Sequence, residues 1–177
     1  MERSLAIRGG LEVLIRPARE GDEKLAIGFL RRVTRDDLRF RFLTAVRAWD
    51  PAFIRGLARV DYDRNMLFVA IGVASGTMIG AVRLHLDSSR ERGEFAVLVQ
   101  SDLKGRGLGW ELMKTIIDWA RAKKALSIEG RVLRENITMI AMCRELGFEV
   151  ASDSEDSTVV QVRLDLGIHR LGCANTH

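Results

Sequence analysis

The stretch VLVQSDLKGRGLG, residues 97–109, decides the fold of this chain. It joins an apolar run of strand length, which opens at Glu94, to a helical pattern that runs from Trp110 to Lys124. The run does not alternate strictly between apolar and polar residues, which is typical of a strand buried on both faces. The sequence therefore predicts a central strand, a glycine-rich turn and an amphipathic helix in direct succession.

The turn, KGRGLG at residues 104–109, has the composition of an anion-binding loop. Glycines let the backbone approach a ligand without a Cβ clash, and amides at a helix N-terminus can converge on one phosphate. The P-loop and the dinucleotide fingerprint do not fit, because the first needs Gly-Lys-Ser/Thr and the second follows the first strand of a βαβ unit. The alternative is a tight turn without a ligand, although three glycines in five residues exceed what one turn requires.

The rest of the chain alternates strand and helix patterns around this segment. Apolar residues repeat at helical spacing in residues 25–33 and 136–146, and short helices are predicted across residues 34–60, one of them starting at Asp50-Pro51. The predicted strands are residues 12–16, 66–73, 78–86, 94–99, 126–132, a short one from 148, and 158–166. The pattern predicts one mixed α/β domain at residues 11–166, with flexible ends at 1–10 and 167–177.

Composition narrows the class of protein. With 177 residues, 47% of them hydrophobic, the chain is long enough for one domain with a packed core. The net charge is +4, but basic and acidic residues alternate in the first half, which argues against nucleic-acid binding. Two distant cysteines and three scattered histidines match no metal-ligand spacing. No apolar run has the length of a membrane span, so we expect a soluble, cytoplasmic protein that binds neither metal nor membrane.

These residues resemble a known family. The arrangement Lys104-x-x-Gly107-x-Gly109 after a strand is similar to the Q/R-x-x-G-x-G/A signature of GNAT N-acetyltransferases, and Asn136 with Leu146-Gly147-Phe148 resembles their second block. Lys104 departs from the usual Gln or Arg. The resemblance covers most of residues 11–166. It implies the GNAT fold, a mixed and mostly antiparallel sheet of about six or seven strands with about four helices, and acetyl-CoA as co-substrate.

The resemblance also implies where acetyl-CoA binds. The pantetheine arm would pair with the backbone near Leu98, Val99 and Gln100, and the Leu98 amide would donate to the thioester carbonyl. Asn136 would contact the pantetheine or order the site. The pyrophosphate would lie over the loop, which consists of Lys104, Gly105, Arg106, Gly107, Leu108 and Gly109.

Glu94 is the candidate general base. An amine attacks a thioester only as the neutral base, so a nearby carboxylate must remove a proton, and burial at the start of an apolar strand would raise the pKa of such a group. Glu94 lies ten residues before Lys104, which resembles the placement of the catalytic glutamate in protein-lysine acetyltransferases. The alternative is a glutamate that merely marks the strand end; Glu91 is a poorer candidate, and His85 is interpreted as a sheet residue.

The sequence does not identify the acid that protonates the leaving thiolate. Many relatives carry a tyrosine seven residues after the asparagine of the second block, where this chain has Cys143. Either Cys143 substitutes for it or the thiolate takes a proton from solvent; a helical cysteine is more often a small buried apolar residue.

Three further segments resemble the catalytic domain of bacterial Pat-type protein lysine acetyltransferases, which modify acyl-CoA synthetases: residues 36–42, 60–64 and 94–97. Asp61 and Asp63 would either attract a cationic lysine or shape a turn. The resemblance thus implies a lysine of an acyl-CoA synthetase as the acceptor. Acetylation of a small amine and a non-catalytic acyl-CoA sensor are the alternatives, and the oligomeric state is left open.

Overall fold

A computed structural model describes residues 2–42 and 61–167. The elements, in chain order, are β1 (Arg3–Ile7), β2 (Leu11–Pro17), α1 (Glu23–Leu30), α2 (Arg35–Phe42), β3 (Asn65–Gly72), β4 (Met78–Leu86), β5 (Arg92–Val99), a 3-10 turn (Ser101–Leu103), α3 (Leu108–Ala122), β6 (Ser127–Leu133), α4 (Ile137–Glu145), β7 (Glu149–Ser152) and β8 (Val159–Asp165). The predicted helix at Asp50-Pro51 and the tail after Gly167 lie outside the described residues.

The strands form one sheet in the order β1-β2-β3-β4-β5-β6-β8-β7, and the β5–β6 pair alone is parallel among these neighbours. The described residues therefore confirm a mixed, mostly antiparallel sheet flanked by four helices. The strand count is eight rather than six or seven. The difference includes β1: residues 3–7 were predicted within a flexible end but pair with β2 through a hairpin at Arg8–Gly10, where Gly9 and Gly10 adopt positive φ.

The core has two parts, one on each face of the sheet. Strand β3 contributes to both, because its run MLFVAIG is buried throughout. The larger part lies under α3 and α4, where Leu112, Met113 and Ile116 of α3 are fully buried. The smaller part lies under α1 and α2 and includes Phe29, Leu30 and Leu38. The sheet is therefore covered on both faces, as expected for its continuous apolar strands.

Strands β5 and β6 separate soon after they meet. Their register covers only Arg92–Glu94 against Ser127–Glu129, whereas β6 stays paired with β8 along its full length. The ring of Phe95 lies directly over Gly130, where an added Cβ would come within 2.9 Å of the ring, and it packs edge-on against Phe148 at 5.4 Å. The separation opens a wedge beside β5, and this wedge positions the candidate site.

None of the helices in residues 2–42 and 61–167 is both long enough and apolar enough to cross a bilayer.

Candidate functional site

A cleft of about 1300 Å³ fills the wedge between β5 and β6. Its walls are β5 from Glu94 to Val99, Arg131 and Val132 of β6, the segment from Leu103 through the glycine-rich loop to the first turn of α3, and one side of α4 with the preceding Asn136. Residues Ala6–Arg8 of the first hairpin and Asp37 and Phe40 of α2 complete the lining. The cleft therefore has an extended strand edge on one side and a helix N-terminus at one end.

The glycine-rich loop presents free backbone amides to this cleft. Gly105 and Gly107 have φ of 76° and 88°, left-handed values that favour glycine, and Gly107 directly precedes α3. Among the described residues, no partner accepts a hydrogen bond from the N–H groups of residues 105–110, as expected for a loop followed by a first helical turn. Leu108 is buried and anchors the turn. Convergent amides at the positive end of a helix dipole suit a phosphate group.

The loop's two cations have different surroundings. The Lys104 ammonium pairs with Asp37 of α2, while Ser101 Oγ donates to the same carboxylate at 2.6 Å. Burial opposes ionisation of Asp37, but the bonds from Lys104 and Ser101 outweigh it and hold its pKa below the usual range. Lys104 therefore ties the loop to α2. Arg106 is exposed in the cleft lining beside Arg8, whose N–H donates to the Arg106 carbonyl at 3.1 Å.

The direction of the β5 amides corrects one predicted contact. The N–H of Gln100 donates to Ile79 and the N–H of Asp87 to Arg92, and the β4–β5 register between them is unbroken. Backbone groups alternate sides along a strand, so the Leu98 amide faces β4 and not the cleft. The cleft side belongs to Val97 and Val99. The prediction that the Leu98 amide donates towards a thioester in the cleft was therefore wrong, because the side to which an amide points depends on strand register and cannot be read from one strand's sequence.

Gln100 is a structural residue rather than part of the cleft lining. Its side chain is buried, donates to Asp102 at 2.7 Å and accepts from Arg32 at 3.3 Å. The predicted pantetheine contact at Gln100 is therefore not supported, because both its amide and its side chain have protein partners.

Asn136 lies at the cleft and caps α4, where its Oδ1 accepts from the N–H of Met139 at 3.2 Å. Of its two predicted roles, the ordering of the site is the one this contact supports. The cap holds the first turn of α4 against the wedge.

Glu94 is the last residue of β5 in register with β6, so it stands at the apex of the wedge. Its cross-strand neighbours are His85 on β4 and Glu129 on β6. The Glu94 side chain is exposed, so the expectation of burial was wrong: Phe95 is buried, but Glu94 projects at the opening and residues 96–99 are only partly buried because they line the cleft. No described residue forms an ion pair with Glu94, which leaves its carboxylate available to a ligand.

Cys143, the side chain considered as the acid for the leaving thiolate, does not line the cleft. Cys143 is fully buried, and burial raises the pKa of its thiol to about 12, which makes it an inert core residue. The chain's single tyrosine, Tyr62, donates its hydroxyl to the carbonyl of Ala18 at 2.6 Å. Solvent is the remaining proton source of the two that the sequence left open.

Asp61 and Asp63 are structural in the described residues. Asp61 accepts from the N–H groups of Asp63, Arg64 and Asn65 at 3.0, 2.9 and 2.7 Å, which is turn chemistry. Asp63 pairs with Arg90 at 2.6 Å. Both carboxylates therefore have partners within the protein, and neither lines the cleft.

Sequence reasoning missed three contributors to the cleft: the Val97 amide, Asp37 and Arg8. Asp37 carried a signal as the fourth residue of a Thr-x-x-Asp box, and its N–H donates to Thr34 Oγ1 at 3.3 Å. Arg8 has no such signal in the sequence, because its position at the cleft depends on the β1–β2 hairpin, which contacts the glycine-rich loop.

Comparison with known proteins identifies the family of this chain. The model of the acetyltransferase (GNAT) family matches residues 25–148. A curated acetyltransferase of Pseudomonas aeruginosa is 34% identical over 159 residues, which cover 89% of this chain and 86% of that protein. Acetyltransferase Pat of Mycolicibacterium smegmatis is 28% identical over 92% of this chain, but the chain spans only 45% of its length.

Among solved structures, the GNAT domain of S. lividans PAT superposes with a TM-score of 0.85 at 22% identity, covering 93% of this chain and 96% of that domain. At this identity the likeness shows the fold. The family model and the Pseudomonas relative show, in addition to the fold, the family to which the chain belongs. The chain belongs to the GNAT family of acetyltransferases and uses acetyl-CoA as its co-substrate.

Proposed function

We propose that this N-acetyltransferase transfers the acetyl group to the primary amine of a protein lysine, with Glu94 as general base. One observation carries the proposal: β5 and β6 part directly after Glu94, and the glycine-rich loop follows the other end of β5. From Glu94 to Val99 the extended strand spans about 17 Å at roughly 3.3 Å per residue. A ligand held by phosphate at the loop would thus extend along β5 towards the carboxylate.

The contacts that would hold acetyl-CoA follow from this geometry. The amides of residues 105–110 would bind the pyrophosphate, with Arg106 and Arg8 as cations beside it. The Val97 and Val99 amides would pair with the pantetheine arm, and one of them would donate to the thioester oxygen as negative charge develops there.

The acceptor would enter as a cation and must lose a proton before it attacks. Glu94 and Glu129 stand side by side on β5 and β6, and two adjacent carboxylates favour a cationic amine at the apex. Glu94 faces the cleft and would take the proton. The amine would then attack the thioester carbonyl directly, and the thiolate would be protonated from solvent.

A lysine of an acyl-CoA synthetase is the acceptor we propose, because the Pat-type relatives share both sequence and fold with this chain. The test is incubation with acetyl-CoA and either a purified acyl-CoA synthetase or a panel of polyamines, with free CoA and lysine acetylation measured. Acetylation of the synthetase at a defined lysine supports the proposal. Acetylation of polyamines alone would replace the protein acceptor with a small amine.

The base is tested separately by Glu94→Gln, with Glu129→Gln as a matched control that removes the neighbouring charge. We expect Glu94→Gln to lower kcat about 10²-fold or more near neutral pH while calorimetric affinity for acetyl-CoA is retained. Glu129→Gln should chiefly raise KM for the acceptor. Full activity in Glu94→Gln would show that Glu94 is not the general base. If the wild-type protein bound acetyl-CoA but acetylated no acceptor, it would instead be a non-catalytic acyl-CoA sensor.

A further inference from the structure

A polar row crosses the sheet at the apex of the wedge. Asn65, His85, Glu94 and Glu129 are successive register partners on β3, β4, β5 and β6. Directly opposed residues project from the same face of a sheet, with β-carbons about 4.5–5.5 Å apart. The imidazole of His85 therefore stands beside the carboxylate of Glu94, on an exposed part of the sheet.

Hydrogen bonds determine which nitrogen of His85 carries its proton. Asn65 Nδ2 donates to Asp61 Oδ2 at 2.8 Å, and this contact orients the amide so that its oxygen faces the imidazole. That oxygen lies 2.5 Å from His85 Nδ1. An amide oxygen only accepts, so Nδ1 carries the hydrogen and the neutral ring keeps its lone pair on Nε2.

The chain of bonds ends in an ionised carboxylate. Bonds from the backbone and side chain of Asn65, aided by the N–H groups of Arg64 and Asp63, hold the pKa of Asp61 well below its usual range. An anion at this end of the chain favours the tautomer of His85 that carries its hydrogen on Nδ1. His85 is thus arranged to accept a proton on the side away from Asn65.

We propose that His85 is the proton exit of the acetyl-transfer site: Nε2 takes from Glu94 the proton removed from the acceptor amine and releases it to solvent. The inference rests on the proposed role of Glu94. It assigns His85 a positioning and relay role, since the residue acts through Glu94 and not on the substrate.

The protons and electrons balance over one turnover. Glu94 removes one proton from the acceptor ammonium, and the carboxylic acid passes it to Nε2, which restores the carboxylate and forms an imidazolium. The imidazolium releases that proton to water. The amine lone pair forms the C–N bond, the C–S electron pair leaves on sulfur, and the second proton lost by nitrogen balances the one that the thiolate gains. One proton per acetyl group therefore leaves through His85.

The charges around His85 are mixed in sign. Its described neighbours on the same face of the sheet are Arg83 on β4, Glu94 and Arg92 on β5 and Glu129 on β6, with Asp61 behind Asn65. Arg32, which follows α1, is held at the other end of β4 by Thr77 and Gln100. Charges of both signs therefore surround the imidazole.

The matched test is His85→Asn. The side-chain amide nitrogen of Asn stands near the position of Nδ1, so the bond to Asn65 is kept while the proton acceptor at Nε2 is removed. We expect kcat to fall about 10-fold in dilute, weakly basic buffer, with KM for acetyl-CoA and thermal stability unchanged. Added imidazole should restore the rate of His85→Asn, because a mobile base replaces the exit, but it should not restore Glu94→Gln.

Each outcome decides the inference. If the His85→Asn enzyme keeps the wild-type kcat at all buffer concentrations, His85 is not the proton exit, and the proposed role of Glu94 as general base is unaffected. A loss of rate that imidazole does not recover shows a structural role and overturns it too. Wild-type activity of Glu94→Gln would overturn the general-base role of Glu94 and therefore also the proton exit through His85. Failure of the proposed base and failure of the proton exit alone are thus distinguishable.

Discussion

Asp37 of α2 and Lys104 of the glycine-rich loop form an ion pair that joins the helix beside the cleft to the loop at its end. Ser101 Oγ donates to Asp37 and accepts from the N–H of Thr34 at 2.9 Å, so the start of α2 is bonded twice to the segment before the loop. Lys104 also lies 5.8 Å from the ring centroid of Phe40. The shape of the loop therefore depends on the position of α2.

Replacement of Lys104 by Ala leaves the Asp37 carboxylate, only 8% exposed, without its counter-ion. We expect the free energy of unfolding to fall by about 1–3 kcal/mol and the affinity for CoA to weaken, as measured by denaturation and calorimetry. Lys104→Arg keeps the charge and is the control. Equal stability and affinity in Lys104→Ala and the wild type would show that the pair does not order the loop.

Hydrogen exchange tests the direction of the β5 amides. In the free protein the N–H groups of Val97 and Val99 face the cleft, whereas Leu98 belongs to the β4–β5 ladder, so Val97 and Val99 should exchange faster. Addition of CoA should protect Val97 and Val99 and leave Leu98 nearly unchanged. Residue-resolved NMR exchange gives the answer, and new protection at Leu98 alone would reverse the assignment.

The Cys143 thiol should be unreactive in the folded protein. With its pKa raised to about 12 by burial, its thiolate fraction at neutral pH is about 10³-fold below that of a free cysteine. A Cys173→Ser background isolates its reaction with iodoacetamide, followed by mass spectrometry, and the urea-unfolded chain supplies the reference rate. Cys143→Ala should retain wild-type kcat; a large loss would return Cys143 to the list of candidate acids.

The fold could be predicted because its signals are local. The apolar run before the glycines, the loop and the helix after it are contiguous in sequence, and β5 and α3 lie where the pattern placed them. Strand β1 was missed because Arg3–Ile7 is short and mostly exposed, and it is held in place by its partner β2.

The site was predicted less completely because it depends on contacts between distant residues. Glu94 and the glycine-rich loop could be predicted from residue types and their spacing along the chain, and both line the cleft. The Leu98 assignment failed because the side to which an amide points is set by register with β4. His85 was interpreted as a sheet residue, and its bond to Asn65 becomes visible only when β3 and β4 are paired.

A buried ion pair away from the cleft gives the fold a pH dependence. Arg16 donates to both oxygens of Asp22 at 2.8 Å, and these bonds hold the pKa of Asp22 below its usual range. A depressed folded-state pKa contributes stability above the unfolded-state value, near 3.9, that is lost as the pH falls below it. Asp22→Asn should remove this dependence and cost about 3–5 kcal/mol, since Arg16 is left buried and unpaired. Denaturation at several pH values measures both effects, and an unchanged profile would contradict them.

The central claim, that the amides around Gly107 bind the phosphates of acetyl-CoA, is tested most directly by calorimetric titration of CoA into Gly107→Ala, with Gly76→Ala as its matched control. Both glycines have left-handed φ and open space for a Cβ, but Gly76 lies in the turn between β3 and β4. Each substitution adds about 1–2 kcal/mol of backbone strain. We expect Gly107→Ala to lose CoA affinity by about 10-fold or more, which is about 1.4 kcal/mol, while Gly76→Ala binds as the wild type does. Equal affinity in the two variants, or no binding of CoA by the wild-type protein, would contradict the account.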